Sequence, residues 1–312
     1  MLPECLKDWI GVKCLTTSKS GYNINDLEGL NLRYAADIAD SNYVSGLQFL
    51  KEKIDFATAL VLNEISKYAE PYYRINSLVD QLKVGEWKNT FTVPANLDRG
   101  IRVRAHRSRM LRIRVNSVEI RIQEANHTDT LTIKDGIFTQ TYSFTTDSTG
   151  AAYVQADYLS KTNEIFITVN DQNINVNNTD VKQGCGCQSK QSNYLIANGW
   201  NGSNISNTTY GLVADTVAEC DQNELYCLLS SKLTFPILYR SGLETAKEAA
   251  TTDRLNPITL LDDDKVEYLL KNFINEYEKH MKILIDSIPD LMKRVDDCCI
   301  ICNQSRYVFG KP

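Results

Sequence analysis

From Val44 the apolar positions run Leu47, Leu50, Ile54, Ala57, Val61, Ile65 and Tyr68. That is helical spacing with one buried face. It predicts a helical stretch over 31–82, opened by Asn31 or Asp40 as cap and interrupted at Pro71, which lacks an amide donor. From about Gly85 the period falls to two. Ile101, Val103 and Ala105 alternate with Arg102, Arg104 and His106, and Leu111, Ile113 and Val115 with Arg112 and Arg114. Further short runs follow at Val118–Ile122, Leu131–Ile133 and Ile165–Val169, broken by turn residues such as Lys134-Asp-Gly136. Short alternating runs of this kind predict an antiparallel sheet, packed as a sandwich.

Residues 171–215 are rich in Asn, Ser, Thr and Gly, and read as an extended loop or arm. Helical spacing returns from about Ala218 through Leu225, Leu229 and Leu233. Pro236 should kink that helix and Pro257 should close it. The last helix is the plainest. Asp262 or Asp263 caps it, and Val266, Leu269, Leu270, Phe273, Ile274, Tyr277, Met281, Leu284, Ile285 and Ile288 form a broad apolar stripe ending before Pro289. Helices at both ends flank one run of strands. The predicted fold is therefore α+β: a helical bundle built from both chain ends, with an inserted antiparallel β-sandwich. Its parts are an N-terminal arm (1–30), the first part of the bundle (31–84), the sandwich (85–170), the loop (171–215) and the second part of the bundle (216–312).

Composition sharpens this picture in two places. Hydrophobic residues make up 43% and charged residues 23% of 312, enough to bury a core, and the net charge is only −5. Segment 99–121, however, carries eight arginines against Glu119, about +7, so the remainder carries about −12. Arg102, Arg104, Arg107, Arg109, Arg112 and Arg114 are the candidate inter-subunit contacts. The same residues also fit a solvated sheet face with local ion pairs, or a contact to DNA phosphate. The nine cysteines, an odd number with no secretory leader, predict reduced thiols. No apolar run approaches a membrane span.

Candidate chemistry is sparse. Cys298-Cys299-Ile-Ile-Cys302 offers one metal-binding hook, but Cys185-Gly-Cys187 is a poor second one, so metal binding by Cys298, Cys299 and Cys302 stays open. The run Asp262-Asp263-Asp264 lacks the glycine and closing glutamate of a calcium loop and reads as a helix cap. There is no nucleophile elbow, phosphate loop or dinucleotide fingerprint. The expectation is a protein without catalysis, cofactor or metal.

Cys5-Leu-Lys-Asp-Trp-Ile-Gly-Val-Lys-Cys14, then Ser20-Gly-Tyr-Asn-Ile-Asn-Asp-Leu-Glu-Gly-Leu30 and a long helix, resemble virion structural proteins of tailed phages infecting Bacteroides and relatives, including the crAss-like group. The tail Cys299-Ile-Ile-Cys-Asn-Gln-Ser-Arg-Tyr-Val-Phe309 adds to the resemblance. It implies a subunit of an oligomeric ring, commonly twelve-fold, in the neck, collar or head–tail connector. The implied partners are further copies, other neck, portal or tail proteins, and packaged DNA in the channel, with no membrane. The implied place is the virion, after synthesis and assembly in the host cytoplasm. The alternative is a tail binding module that attaches a fibre protein or recognises glycan. In the ring reading, residues 1–30 are expected to pack on other subunits rather than on their own helices.

Overall fold

The computed structural model describes residues 2–30, 35, 36, 38, 45–92, 98–169, 176–180, 193–251, 263–295 and 297–300. It is an α+β protein whose chain divides into two compact units. One comprises Met1–Tyr73, Gln222–Asp296 and Ile300–Pro312; the other comprises Arg74–Asp221 and Asp297–Cys299.

The first unit holds helices α1 (Gly46–Ala69), α2 (Gln222–Thr251) and α3 (Asp263–Lys293). Helix α1 starts where the Ser45 hydroxyl accepts the Gln48 N–H at 3.3 Å, a side-chain cap for an otherwise orphaned donor. The predicted caps Asn31, Asp40 and Asp262 lie outside the described residues, as does Pro257. Phe49, Leu50, Ile54, Ala57, Val61 and Ile65 bury one face of α1, which packs on α2, and α2 packs in turn on α3. Tyr226 on α2 donates to the Leu62 carbonyl at 3.2 Å, and Tyr277 on α3 donates to Glu64 at 2.5 Å. On α3 the buried residues are Val266, Leu269, Phe273, Tyr277, Met281, Leu284, Ile288 and Met292, spaced three or four apart. Ile274 is 37% exposed, so the stripe is narrower than predicted.

Neither proline ends its helix. Helix α2 runs continuously through Pro236, and α3 passes Pro289 to reach Lys293. A single missing N–H costs one hydrogen bond, and buried side chains on both sides of each proline hold the helix on course.

Residues 2–30 fold onto their own helices, which corrects the expectation of an arm given to neighbours. Leu6, Ile10, Val12, Ile24 and Leu30 are buried. The Trp9 indole N–H donates to Thr234 Oγ1 at 3.0 Å, and Cys5 is bonded to Cys227, both partners on α2. The Tyr22 ring meets Phe235 edge-on at 5.1 Å. Beyond a 3-10 turn at Ile24–Asp26, Gly29 lies so close to Leu269 that a Cβ there would come within 2.6 Å of its side chain. The driving force is ordinary apolar burial: α2 and α3 leave a groove that this segment fills.

Among its described residues the second unit holds twelve strands: β1 (Leu78–Val84), β2 (Glu86–Thr92), β3 (Arg99–Ala105), β4 (Leu111–Arg121), β5 (Thr128–Asp135), β6 (Phe138–Thr145), β7 (Ala151–Leu159), β8 (Glu164–Val169), β9 (Val176–Asp180), β10 (Leu195–Trp200), β11 (Ile205–Ser206) and β12 (Leu212–Cys220). They form a four-stranded sheet ordered β1-β12-β4-β7, a six-stranded sheet ordered β11-β10-β3-β8-β5-β6, and a pair β2-β9. Every pairing is antiparallel. Ile101, Val103, Ile113, Val115, Ile133, Ile165 and Ile167 are fully buried, as the period-two pattern predicts. Side chains tie the two larger sheets together. Tyr142 on β6 donates to the Ala156 carbonyl on β7 at 2.9 Å. The buried Asp135 carboxylate on β5 accepts from Tyr158 on β7 at 2.8 Å and from the Lys161 and Thr162 amides at 2.5 and 3.0 Å. Gly136, at φ +60°, opens the two-residue β5–β6 loop, a conformation costly for other residues.

Two helical expectations are corrected here. Residues 78–82 lie in β1 and residues 218–220 in β12, and these two strands pair with each other. Short apolar runs do not distinguish a helix from a strand until the partner is known. The expected loop 171–215 contains β9, β10, β11 and the start of β12; its Asn and Thr residues hide the alternation, and 181–192 lie outside the described residues.

Phe273 is 1% exposed at the α2–α3 contact. Phe273→Ala should cost ~3–5 kcal/mol, read from urea unfolding. Deleting residues 1–30 should lower the urea midpoint of the helical signal; an unchanged midpoint would return this segment to its expected role on a neighbour.

Candidate interaction surfaces and the cysteine corner

Strand pairing distributes the arginines over two sheets: Arg99, Arg102 and Arg104 on β3, and Arg112, Arg114 and Arg121 on β4. Arg102 points both Nε and Nη2 at Glu164, at 2.8 and 2.5 Å. Arg114 grips Glu219 with two hydrogen bonds of 2.5 and 3.0 Å, and this pairing raises the guanidinium pKa further. Arg112 lies 2.8 Å from the mostly buried Asp221. Arg99 is buried with its guanidinium 6.0 Å from the Tyr210 ring, and Arg121 lies 4.6 Å from the Trp87 ring. Arg102, Arg112 and Arg114 are therefore engaged within the chain. Arg104, Arg107 and Arg109 are exposed, and among the described residues none of the three has an ion-pair partner. Arg107 sits at φ +66° in the β3–β4 connection.

Large apolar side chains also stand exposed. Phe56 and Tyr268 are 53% and 55% exposed in the helical unit, and Leu78 and Tyr153 are 60% and 63% exposed on β1 and β7, which edge the four-stranded sheet. On the six-stranded sheet a depression of about 470 Å³ is lined by Asp98, Lys134, Asn163, Glu164, Phe166 and Trp200. Phe166 and Trp200 meet at 4.8 Å, and Lys134 is paired with Asp98. In sequence the tryptophans are scattered; register brings Trp200 and Phe166 onto β10 and β8, the strands flanking β3.

The cysteines depart from the reduced-thiol expectation. Cys5 is bonded to Cys227, and Cys220 to Cys299, with Cα separations of 5.8 and 5.5 Å. The partners are 222 and 79 residues apart in sequence, so no local spacing announces them. Cys14 is an exposed free thiol and Cys298 a half-buried one; Cys185, Cys187 and Cys302 lie outside the described residues. Asp297, Cys298 and Cys299 place their ligand atoms within 4.8 Å of one another. Burial pushes the Cys298 thiol up to about 11, and the neighbouring Asp297 carboxylate adds to the shift.

The histidines lie apart among the described residues. His127 is 3.5 Å from Glu124, and His280 stacks on Phe235 and Tyr239 at 4.8 and 5.4 Å. No helix among the described residues is long and apolar enough to cross a membrane. The acidic run 262–264 lies outside the described side chains.

No known protein family, curated protein or solved structure matches the chain.

Two outcomes follow from this geometry. Arg114→Ala leaves the 14%-exposed Glu219 side chain without its partner and should cost ~1–3 kcal/mol in urea unfolding, whereas Arg109→Ala should stay within ~0.5 kcal/mol. At pH 8 a thiol titrating near 11 is about 100-fold poorer in thiolate than one titrating near 9. Peptide mapping should therefore show Cys298 alkylated slowly at pH 8, with its rate climbing as pH approaches 11.

Proposed function

We propose that this chain is a non-enzymatic structural subunit of a tailed-phage virion, forming a closed ring in the neck, collar or head–tail connector region. In this reading α1, α2 and α3 make a discontinuous bundle, and the two larger sheets form a sandwich inserted between its halves. The observation that carries it is charge asymmetry. Arg104, Arg107 and Arg109 stand exposed and unpaired among the described residues, while the chain outside 99–121 carries about −12. A basic patch facing a differently placed acidic surface of the next copy is a heterologous contact, the kind that closes a ring by rotation. The exposed apolar residues at the sheet edge and on the helices add area for such contacts. The N-terminal resemblance supplies the place in the particle, and other neck, portal or tail proteins are the neighbours.

The depression beside Phe166 and Trp200 favours a second reading, a tail module that recognises glycan, because partly exposed aromatics beside paired charges suit a sugar's apolar face and hydroxyls.

Negative-stain images and native mass spectra of the purified chain separate the two. The ring reading expects closed rings, disrupted to folded monomers by Arg107→Glu combined with Arg109→Glu. Monodisperse monomers or trimers of the unaltered chain that bind glycan, with binding lost in Trp200→Ala, would overturn it.

A further inference from the structure

We propose that Cys220, Asp297, Cys298 and Cys299 form a zinc site in the reduced protein, with three thiolate donors and one carboxylate. The Asp297, Cys298 and Cys299 ligand atoms lie within 4.8 Å of one another, and Cys220 Sγ is bonded to Cys299 Sγ. Sulfur donors on tetrahedral zinc, with Zn–S about 2.3 Å, sit about 3.8 Å apart. Asp297, Cys298 and Cys299 are thus within about an ångström of the required spacing, and Cys220 joins them as a donor once its bond to Cys299 is opened.

The backbone holds both sides of the corner in place. The Cys220 N–H donates to the Ser77 carbonyl at 3.1 Å, at the end of β12. The Cys299 carbonyl accepts the Arg74 N–H at 2.8 Å, and the Cys299 N–H donates to the Asp297 carboxylate at 3.0 Å. Cys299 is fully buried and Cys220 is 1% exposed, so a metal there is shielded from bulk water on that side. The Tyr194 hydroxyl hydrogen-bonds Cys298, and Arg74 and Arg107 lie in electrostatic reach of that hydroxyl. Of the hook visible in sequence, Cys299 and Cys302, the described residue Cys299 has Cys220 as its neighbour; Cys302, Cys185 and Cys187 lie outside the described residues.

The bonded pair and the zinc site are alternative states of the same sulfurs. Two equivalents of a small-molecule thiol reduce Cys220–Cys299 to two protein thiols and leave one small-molecule disulfide. Zinc binding then releases the three thiol protons to solvent as three sulfur–zinc bonds form.

The test uses the full chain reduced with a phosphine and freed of chelator. It is alkylated with and without one equivalent of zinc chloride, and each cysteine is followed by peptide mapping. Zinc should slow alkylation of Cys220, Cys298 and Cys299 by at least ~10-fold and leave Cys14 unchanged. Cys298→Ser should abolish protection of Cys220 and Cys299, and Asp297→Asn should weaken it while leaving some. Equal rates with and without zinc at the three positions, or protection falling on Cys185 and Cys187 instead, would overturn the proposal. Because the unaltered chain carries the decisive readout, a variant that fails to fold does not blunt the test.

Discussion

Helix α2 is the element on which the helical unit depends. It is contacted by α1, by α3 and by the N-terminal segment, and it buries Leu225, Leu229, Leu233, Ile237, Leu238, Leu243, Ala246 and Ala249. A helix that buries residues on so much of its circumference cannot stand alone in water, so the segments before and after it in sequence must come to it. Gly242 marks a close approach: a Cβ there would meet Leu27 at 2.9 Å and Phe273 at 3.3 Å. The N-terminal residues lie along α2 because something apolar must, and Trp9, Tyr22 and Leu27 are the side chains within chain reach.

The strand unit solves a different problem, that of holding charge close to a core. Alternation puts Ile101, Val103, Ile113 and Val115 inside and sends Arg102, Arg104, Arg112 and Arg114 outward. Three of these four arginines then meet a carboxylate from an adjacent strand or its end: Glu164 for Arg102, Asp221 for Arg112 and Glu219 for Arg114. Asp135 shows the reverse arrangement, a fully buried carboxylate made tolerable by donors converging from β7 and the β7–β8 turn.

Much of this was legible beforehand, and the failures have physical causes. The α1 and α3 stripes and the strand alternation around Ile113 and Ile165 declare themselves because each buries one regular face. Pro71 was a true boundary, whereas Pro289 was not, since only tertiary burial decides whether a helix survives a lost hydrogen bond. Strand β10 was hidden because Asn198 and Gly199 carry little apolar signal, and β1 because Leu78–Val84 declares its state only when β12 lies beside it. For the candidate surfaces, the sequence marked every arginine but could not say which would find carboxylates, because Glu164, Glu219 and Asp221 are distant in sequence. The cysteine pairings were invisible for the same reason: they are facts of space.

The bond between Cys5 and Cys227 encloses every one of the twelve strands within a single covalent loop. Tension applied to the two ends of the chain would cross from residue 5 to residue 227 through one sulfur bridge and from residue 220 to residue 299 through the other, so that among the strands only the last residue of β12 would lie on the load path. With the Cys5–Cys227 bond made, the pull bypasses every strand ahead of Cys220; with it open, the same pull would run through each of those strands in turn.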